Sequence, residues 1–177
     1  VCLSGCGGED SSSPPASPAA TPAESTETQA VSATDCLHYE RDLFLPAMSS
    51  PRPYTVDGRL TAGMVPHHLL ASDMIAGFFS MAAKDPLGYD TVLLVAPSHF
   101  SENCVSDIVT STWNWNTPYG LVETDAVLTE TLLKNNRLRA EDNPEALEAD
   151  HGISGLLPFV RYYLPQTKVA VCLLSNK

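Results

Sequence analysis

Met64-Val65-Pro66-His67-His68-Leu69-Leu70 and Thr91-Val92-Leu93-Leu94-Val95-Ala96-Pro97-Ser98-His99-Phe100 decide the fold, with a helical span between them. Each stretch is a short apolar run closed by proline and then histidine. Thr91–Val95 is apolar on both faces, the pattern of a central parallel strand. Arg59–Val65 predicts the strand before it. Between them, Leu70–Ala83 carries Ala71, Met74, Ile75, Phe78 and Ala82 at helical spacing, and Asp85-Pro86 and Gly88 end the helix. Strand, helix, strand over this length is one βαβ unit. In a parallel sheet, side chains just past the carboxyl ends of neighbouring strands converge on one crevice. His67 and His99 therefore fall in one candidate site.

Outward from this unit, Cys36 to about Pro53 gains Leu37, Tyr39, Leu43, Phe44 and Leu45, so ordered structure begins there without a clear regular element. Val105–Thr110 predicts a third strand, and Thr112–Gly120 a loop with Pro118 and Gly120 as turn residues. Asp125–Lys134 predicts a helix capped by Asp125 or Thr124. Asn135–Asp150 is polar and reads as irregular. Ile153, Leu156, Leu157, Val160 and Leu164 make the clearest helical stripe, which Pro158 should kink or delay. Lys168–Leu174 is a last strand. Such a strand is normally followed by a covering helix, so residues 36–177 predict an α/β domain with a mostly parallel sheet, helices on both faces and a carboxyl-terminal part missing.

The net charge of -11 comes without any basic cluster, which excludes nucleic acid as a partner and disfavours electrostatic docking on anionic lipid. Residues 7–35 hold Glu9, Asp10, Glu24, Glu27 and Asp35, no Lys or Arg, no aromatic residue and one large aliphatic, Val31. Such a stretch cannot bury enough apolar area to offset its ordering entropy, and it predicts a disordered tether. No 18-residue apolar run follows it. Leu3-Ser4-Gly5-Cys6 resembles a bacterial lipobox, which implies that residues 1–6 are the remnant of a signal peptide and that Cys6 carries lipid. The expected location is then the extracytoplasmic side of a bacterial membrane. The five cysteines include no C-x-x-C pair. Cys172 reads as a buried core residue, and a Cys36–Cys104 disulfide is an open possibility.

His67, His68, His99 and His151 sit at predicted element junctions. They read either as satisfied structural histidines or as imidazole ligands of a transition metal, with Asp150 a possible carboxylate donor. Ser98 lacks a glycine elbow and reads as a strand-end cap, Asp73 as solvated, and Trp113 and Trp115 as loop anchors. The common phosphate-loop, dinucleotide, hydrolase and zinc-protease signatures are absent from the sequence.

Four motifs in order, over about residues 59–174, resemble the Memo-like family, also called AmmeMemoRadiSam system protein B. Its fold is related to the class III extradiol dioxygenases. Pro66-His67-His68-Leu69-Leu70 is similar to the family's P-H-A-G-Y, and Ala96-Pro97-Ser98-His99-Phe100 to its G-P-S-H-H. Thr117-Pro118-Tyr119-Gly120 with Asp125 is similar to T-P-L-G leading to Asp. Asp150-His151-Gly152-Ile153-Ser154 through Pro158-Phe159 is similar to E-H-S-L-E-x-x-L-P-F. His68 and Leu69 stand where the family has Ala-Gly, Phe100 where it has a second His, and Ser154 where it has Glu.

The resemblance implies that His67 and His99 bind iron or copper. It implies that His151 lies beside them as a catalytic proton carrier, and that an Asp, a His and a Cys of the family's site belong to a later half. His68 is a second catalytic candidate, substituting for a lost ligand or forming the pocket wall. Redox, dioxygenase-like chemistry on a small molecule is the implied activity, and a radical-SAM protein with a companion domain the implied association. The alternative is a non-catalytic, surface-tethered binding protein using the same crevice.

Overall fold

The structure, a computed structural model, describes residues 32–176. The lipidation expected at Cys6 and the tether as far as Val31 lie outside the described residues. The end of that tether is not irregular, for Ala33–Asp35 forms strand β1. In order there follow α1 (Arg41–Ser49), α2 (Ser72–Ala82), β2 (Thr91–Pro97), β3 (Ile108–Thr110), β4 (Asn114–Thr117), β5 (Gly120–Val122), α3 (Ala126–Lys134), β6 (Ala140–Asp142), α4 (Pro144–Ala149), α5 (His151–Ser154), α6 (Leu157–Tyr163) and β7 (Lys168–Leu174).

The α/β class stands, with the strands divided between two sheets. A four-stranded sheet runs β2-β7-β3-β6 and a three-stranded one β1-β4-β5. β2 and β7 pair in parallel from Thr91↔Lys168 to Pro97↔Leu174. β3 joins β7 antiparallel, and β6 joins β3 in parallel. The central strand is thus β7, whose Val169–Leu173 are all buried. β2, expected at the centre, is an edge strand and leaves Leu93 and Val95 half exposed.

Arg59–Val65 is not a strand. Residues 51–67 form an extended strap with no ladder partner, tied down by side chains instead. Arg52 pairs with Asp73 at 2.8 Å, so Asp73 is not simply solvated. Arg59 donates to Gly88 O (2.6 Å) and pairs with Asp85 (3.3 Å), while Tyr89 OH donates to Leu60 O (2.8 Å). Thr112–Gly120, expected as a loop, is largely the β4–β5 hairpin. Its turn needs glycine, since Gly120 has φ +113°. Residues 140–149, expected irregular, hold β6 and α4, the latter capped by Asn143.

The expected α3 forms, with Asp125 as its cap: Oδ1 accepts from Leu128 N (2.9 Å) and Oδ2 from Thr91 Oγ1 (2.6 Å). Pro158 lies in the first turn of α6, where a missing N–H costs nothing, and this splits the helical stripe into α5 and α6 around Gly155-Leu156. Phe44, Phe159, Trp115, Ile75, Leu147 and Ile153 are fully buried, each burial stabilising by roughly 1.5–3 kcal/mol. Trp115 is a core residue and Trp113 a half-exposed anchor. Cys172 is buried as expected. Cys36 and Cys104 are buried free thiols, so no disulfide joins them. Burial, then the charges of Asp35 and Glu148, push the Cys36 thiol up to about 12.

Candidate metal centre

The histidines are delivered by three different devices. His67 ends the strap just after Pro66, not a strand, and the strap's anchors fix where it arrives. His99 lies two residues past β2, at the carboxyl end of the strand as expected. His151 opens α5, immediately after the Asp150 that caps it. These three converge: one ring nitrogen from each lies within 4.8 Å of the others. The ring centroids stand 3.9 Å apart for His99 and His151, 4.7 Å for His67 and His99, and 5.5 Å for His67 and His151. Two imidazole nitrogens on one ion at bonds of about 2.1 Å stand about 3.4 Å apart at a tetrahedral angle. The nitrogens stand somewhat further apart than that, and three imidazoles this close are a donor set that could hold one transition-metal ion.

Asp150 is not a ligand here but the support of one. Its side chain is fully buried and both oxygens are in use. Oδ1 accepts from His99 Nδ1 (2.9 Å) and Gly152 N (2.8 Å); Oδ2 accepts from His99 N (2.6 Å) and Ser98 Oγ (3.4 Å). Burial pushes this carboxyl up, but the hydrogen bonds from Gly152 and His99 outweigh it and hold it below the usual carboxylate range. An ionised carboxylate only accepts, so His99 Nδ1 carries a hydrogen, and Nε2 is the ring nitrogen that Asp150 does not engage. This carboxylate–histidine pair is the arrangement that orients metal-binding imidazoles and raises their basicity.

The other two rings are held neutral. Burial first, then the neighbouring His99, pushes His67 and His151 below the ordinary histidine value. At neutral pH both therefore offer a lone pair rather than a positive charge. Ser98 is the expected strand-end cap, its Oγ accepting from Phe100 N (3.3 Å), and it also braces Asp150.

His68 is beside this trio and not part of it. It is exposed, its Nδ1 accepts from Leu70 N (3.3 Å), and its ring centroid is 6.4 Å from that of His151. The sequence reading missed the role of Asp150 as a support, and it missed His38, whose ring centroid stands 5.7 Å from that of His151. The available signal is that the chain has five histidines, of which His38 alone sits at no predicted element junction. A broad surface concavity of about 630 Å³ lies elsewhere, between Thr91, Asp125, Tyr163 and Lys168. Of its two carboxylates, Asp125 is engaged with Thr91 and the α3 backbone; among the described residues the group that could hold a metal ion is His67, His99 and His151.

The family model described as Memo-like protein matches residues 42–177, which include the three converging histidines. A MEMO1 family protein of Pyrobaculum arsenaticum is 27% identical over 112 residues, 60% of this chain and 38% of its own length. A second, from Pyrobaculum aerophilum, is 28% identical over 117 residues, 63% of this chain and 40% of its own. A third, from Caldivirga maquilingensis, is 31% identical over 85 residues, 48% of this chain and 29% of its own. The matches thus span well under half the length of each of these relatives. With the family model matching most of its length, the chain belongs to the Memo-like protein family.

Proposed function

We propose that this chain carries the histidine half of a redox metal centre, binding one iron or copper ion through His67, His99 Nε2 and His151. The observation that carries the reading is the convergence of the three ring nitrogens, with His99 oriented by a buried, ionised Asp150. Imidazole donors suit iron and copper, and the resemblance to the Memo-like family favours these two. A metal ion held by these residues would supply redox-active Lewis acidity toward an oxygen of a small molecule or dioxygen.

The chain's own residues supply placement and protons. Asp150 holds His99, and the strap holds His67. His151 acts as third donor, which replaces its expected role as a free proton carrier. His68 takes that role at the rim: with Nδ1 accepting from Leu70 N, the neutral ring bears its proton on Nε2. Membrane attachment through lipidated Cys6 is proposed with it, supported by Leu3-Ser4-Gly5-Cys6 and the composition of residues 7–31. Among the described residues no helix is long and apolar enough to cross a membrane.

Copper(II) electron paramagnetic resonance tests the centre. The copper-loaded chain should show superhyperfine structure from three equivalent-class nitrogens, reduced to two in His151→Ala. A spectrum of aqueous copper, or one indifferent to His67, His99 and His151, would overturn the reading.

A further inference from the structure

His38 belongs to neither the histidine trio nor the rim, yet it packs against His151 from a different stretch of the chain. It lies in the connection between β1 and α1, which is anchored without it. Cys36 N donates to Asn116 O (3.1 Å), and Tyr39 OH hydrogen-bonds Tyr119 OH (3.0 Å). His38 adds one link, from its Nε2 to Ala149 O at 3.0 Å. A carbonyl oxygen only accepts, so Nε2 carries the hydrogen. Ala149 ends the six-residue α4, whose final carbonyls have no helical partner. The next two residues are Asp150 and His151.

The ring of His38 also packs edge-on to that of His151, at an interplanar angle of 65°. The backbones of three histidine-bearing segments meet at a single glycine. A Cβ on Gly155 would stand 3.2 Å from His151 O, 3.6 Å from His67 O and 3.8 Å from His38 O.

We infer that His38 is a positioning residue of the metal centre: its Nε2–H bond to Ala149 O and its edge-on contact hold the turn that presents His151 to His67 and His99. The inference rests on the metal-binding reading above. It is separable from a plain stabilising role. The hydrogen bond lies near solvent, so water replaces it at small cost to folding. The aim of the His151 ring has no such substitute. Outer groups that orient ligands typically change metal affinity 10–100-fold when removed.

The test titrates the full, metal-free chain with Co2+, following visible absorption, for wild type, His38→Gln and His38→Phe, with thermal melts of the metal-free proteins alongside. Gln keeps a donor near Nε2; Phe keeps the ring and loses the donor. The expected result is near-wild-type binding and spectrum for His38→Gln. For His38→Phe it is affinity weaker by about tenfold and a shifted spectrum, with little change in melting. Wild-type affinity and spectrum in His38→Phe would overturn this inference alone. No Co2+ binding by wild type would overturn the metal reading and this inference with it. If His38→Phe does not fold, 15N spectra of wild type decide: His38 protonated on Nε2 is required, and the Nδ1–H tautomer overturns the assignment.

Discussion

At the level of single residues, the site depends on His67 and His151 staying neutral and on His99 being correctly turned. Asp150 does the turning, because an ionised, buried carboxylate forces the proton of His99 onto Nδ1. Asp150→Asn keeps the shape and loses the charge, and should weaken metal binding 10–100-fold in a competition titration. Unchanged affinity would show that His99 needs no such partner. The pH dependence follows from His67 and His151, whose values are depressed in the folded chain. As pH falls through the ordinary histidine value of about 6.5, the unfolded chain takes up protons first, so stability falls with pH there. Further down, the depressed carboxyl of Asp150 acts with the same sign, its stabilisation lost as pH falls through the folded value. Urea titrations of the metal-free chain between pH 5 and 8 should show a slope that His67→Ala and His151→Ala flatten. A slope of the opposite sign would contradict the depressed values.

At the scale of elements, close approaches and caps carry the site. A Cβ on Gly152 would stand 3.1 Å from Asp150 Oδ1 and 3.2 Å from both Ala96 Cβ and Pro97 O. Gly152→Ala should therefore cost roughly 1–3 kcal/mol in urea denaturation and push the carboxylate off His99. Wild-type stability and metal binding together would show that the turn is looser than this packing implies. Asp125→Ala removes the α3 cap and a bond to Thr91, and should cost about 1–2 kcal/mol while leaving metal affinity unchanged.

Elements stabilised by their own pattern were legible in the sequence. The apolar runs of β2 and β7, the one-sided stripe of α2 and the Asp125 cap each announce themselves locally. Arg59–Val65 looked like a strand but takes its partners from Tyr89, Gly88 and Asp85, with Met64 almost fully exposed. Trp115 looked like a loop anchor and is a core strand residue, because its partners in β1 and β5 are too short to show any alternation. His67, His99 and His151 were legible as junction residues. Asp150 as their support was not, since hydrogen bonds from residues far apart in sequence leave no local trace.

Across the whole fold, the two parallel strands β2 and β7 set the carboxyl edge at which His99 emerges, and the strap and α5 bring His67 and His151 to it from outside the sheet. Three imidazole donors with one buried carboxylate behind them would leave much of a divalent ion's charge and several of its coordination positions to other groups. Metal content of the full chain after anaerobic iron or copper reconstitution, measured beside a folded His67→Ala/His99→Ala double variant, decides whether His67, His99 and His151 assemble a metal site. Close to one equivalent is expected in the wild type, with loss of it in the variant. No bound metal in the folded wild type, or equal loading of both proteins, would contradict it.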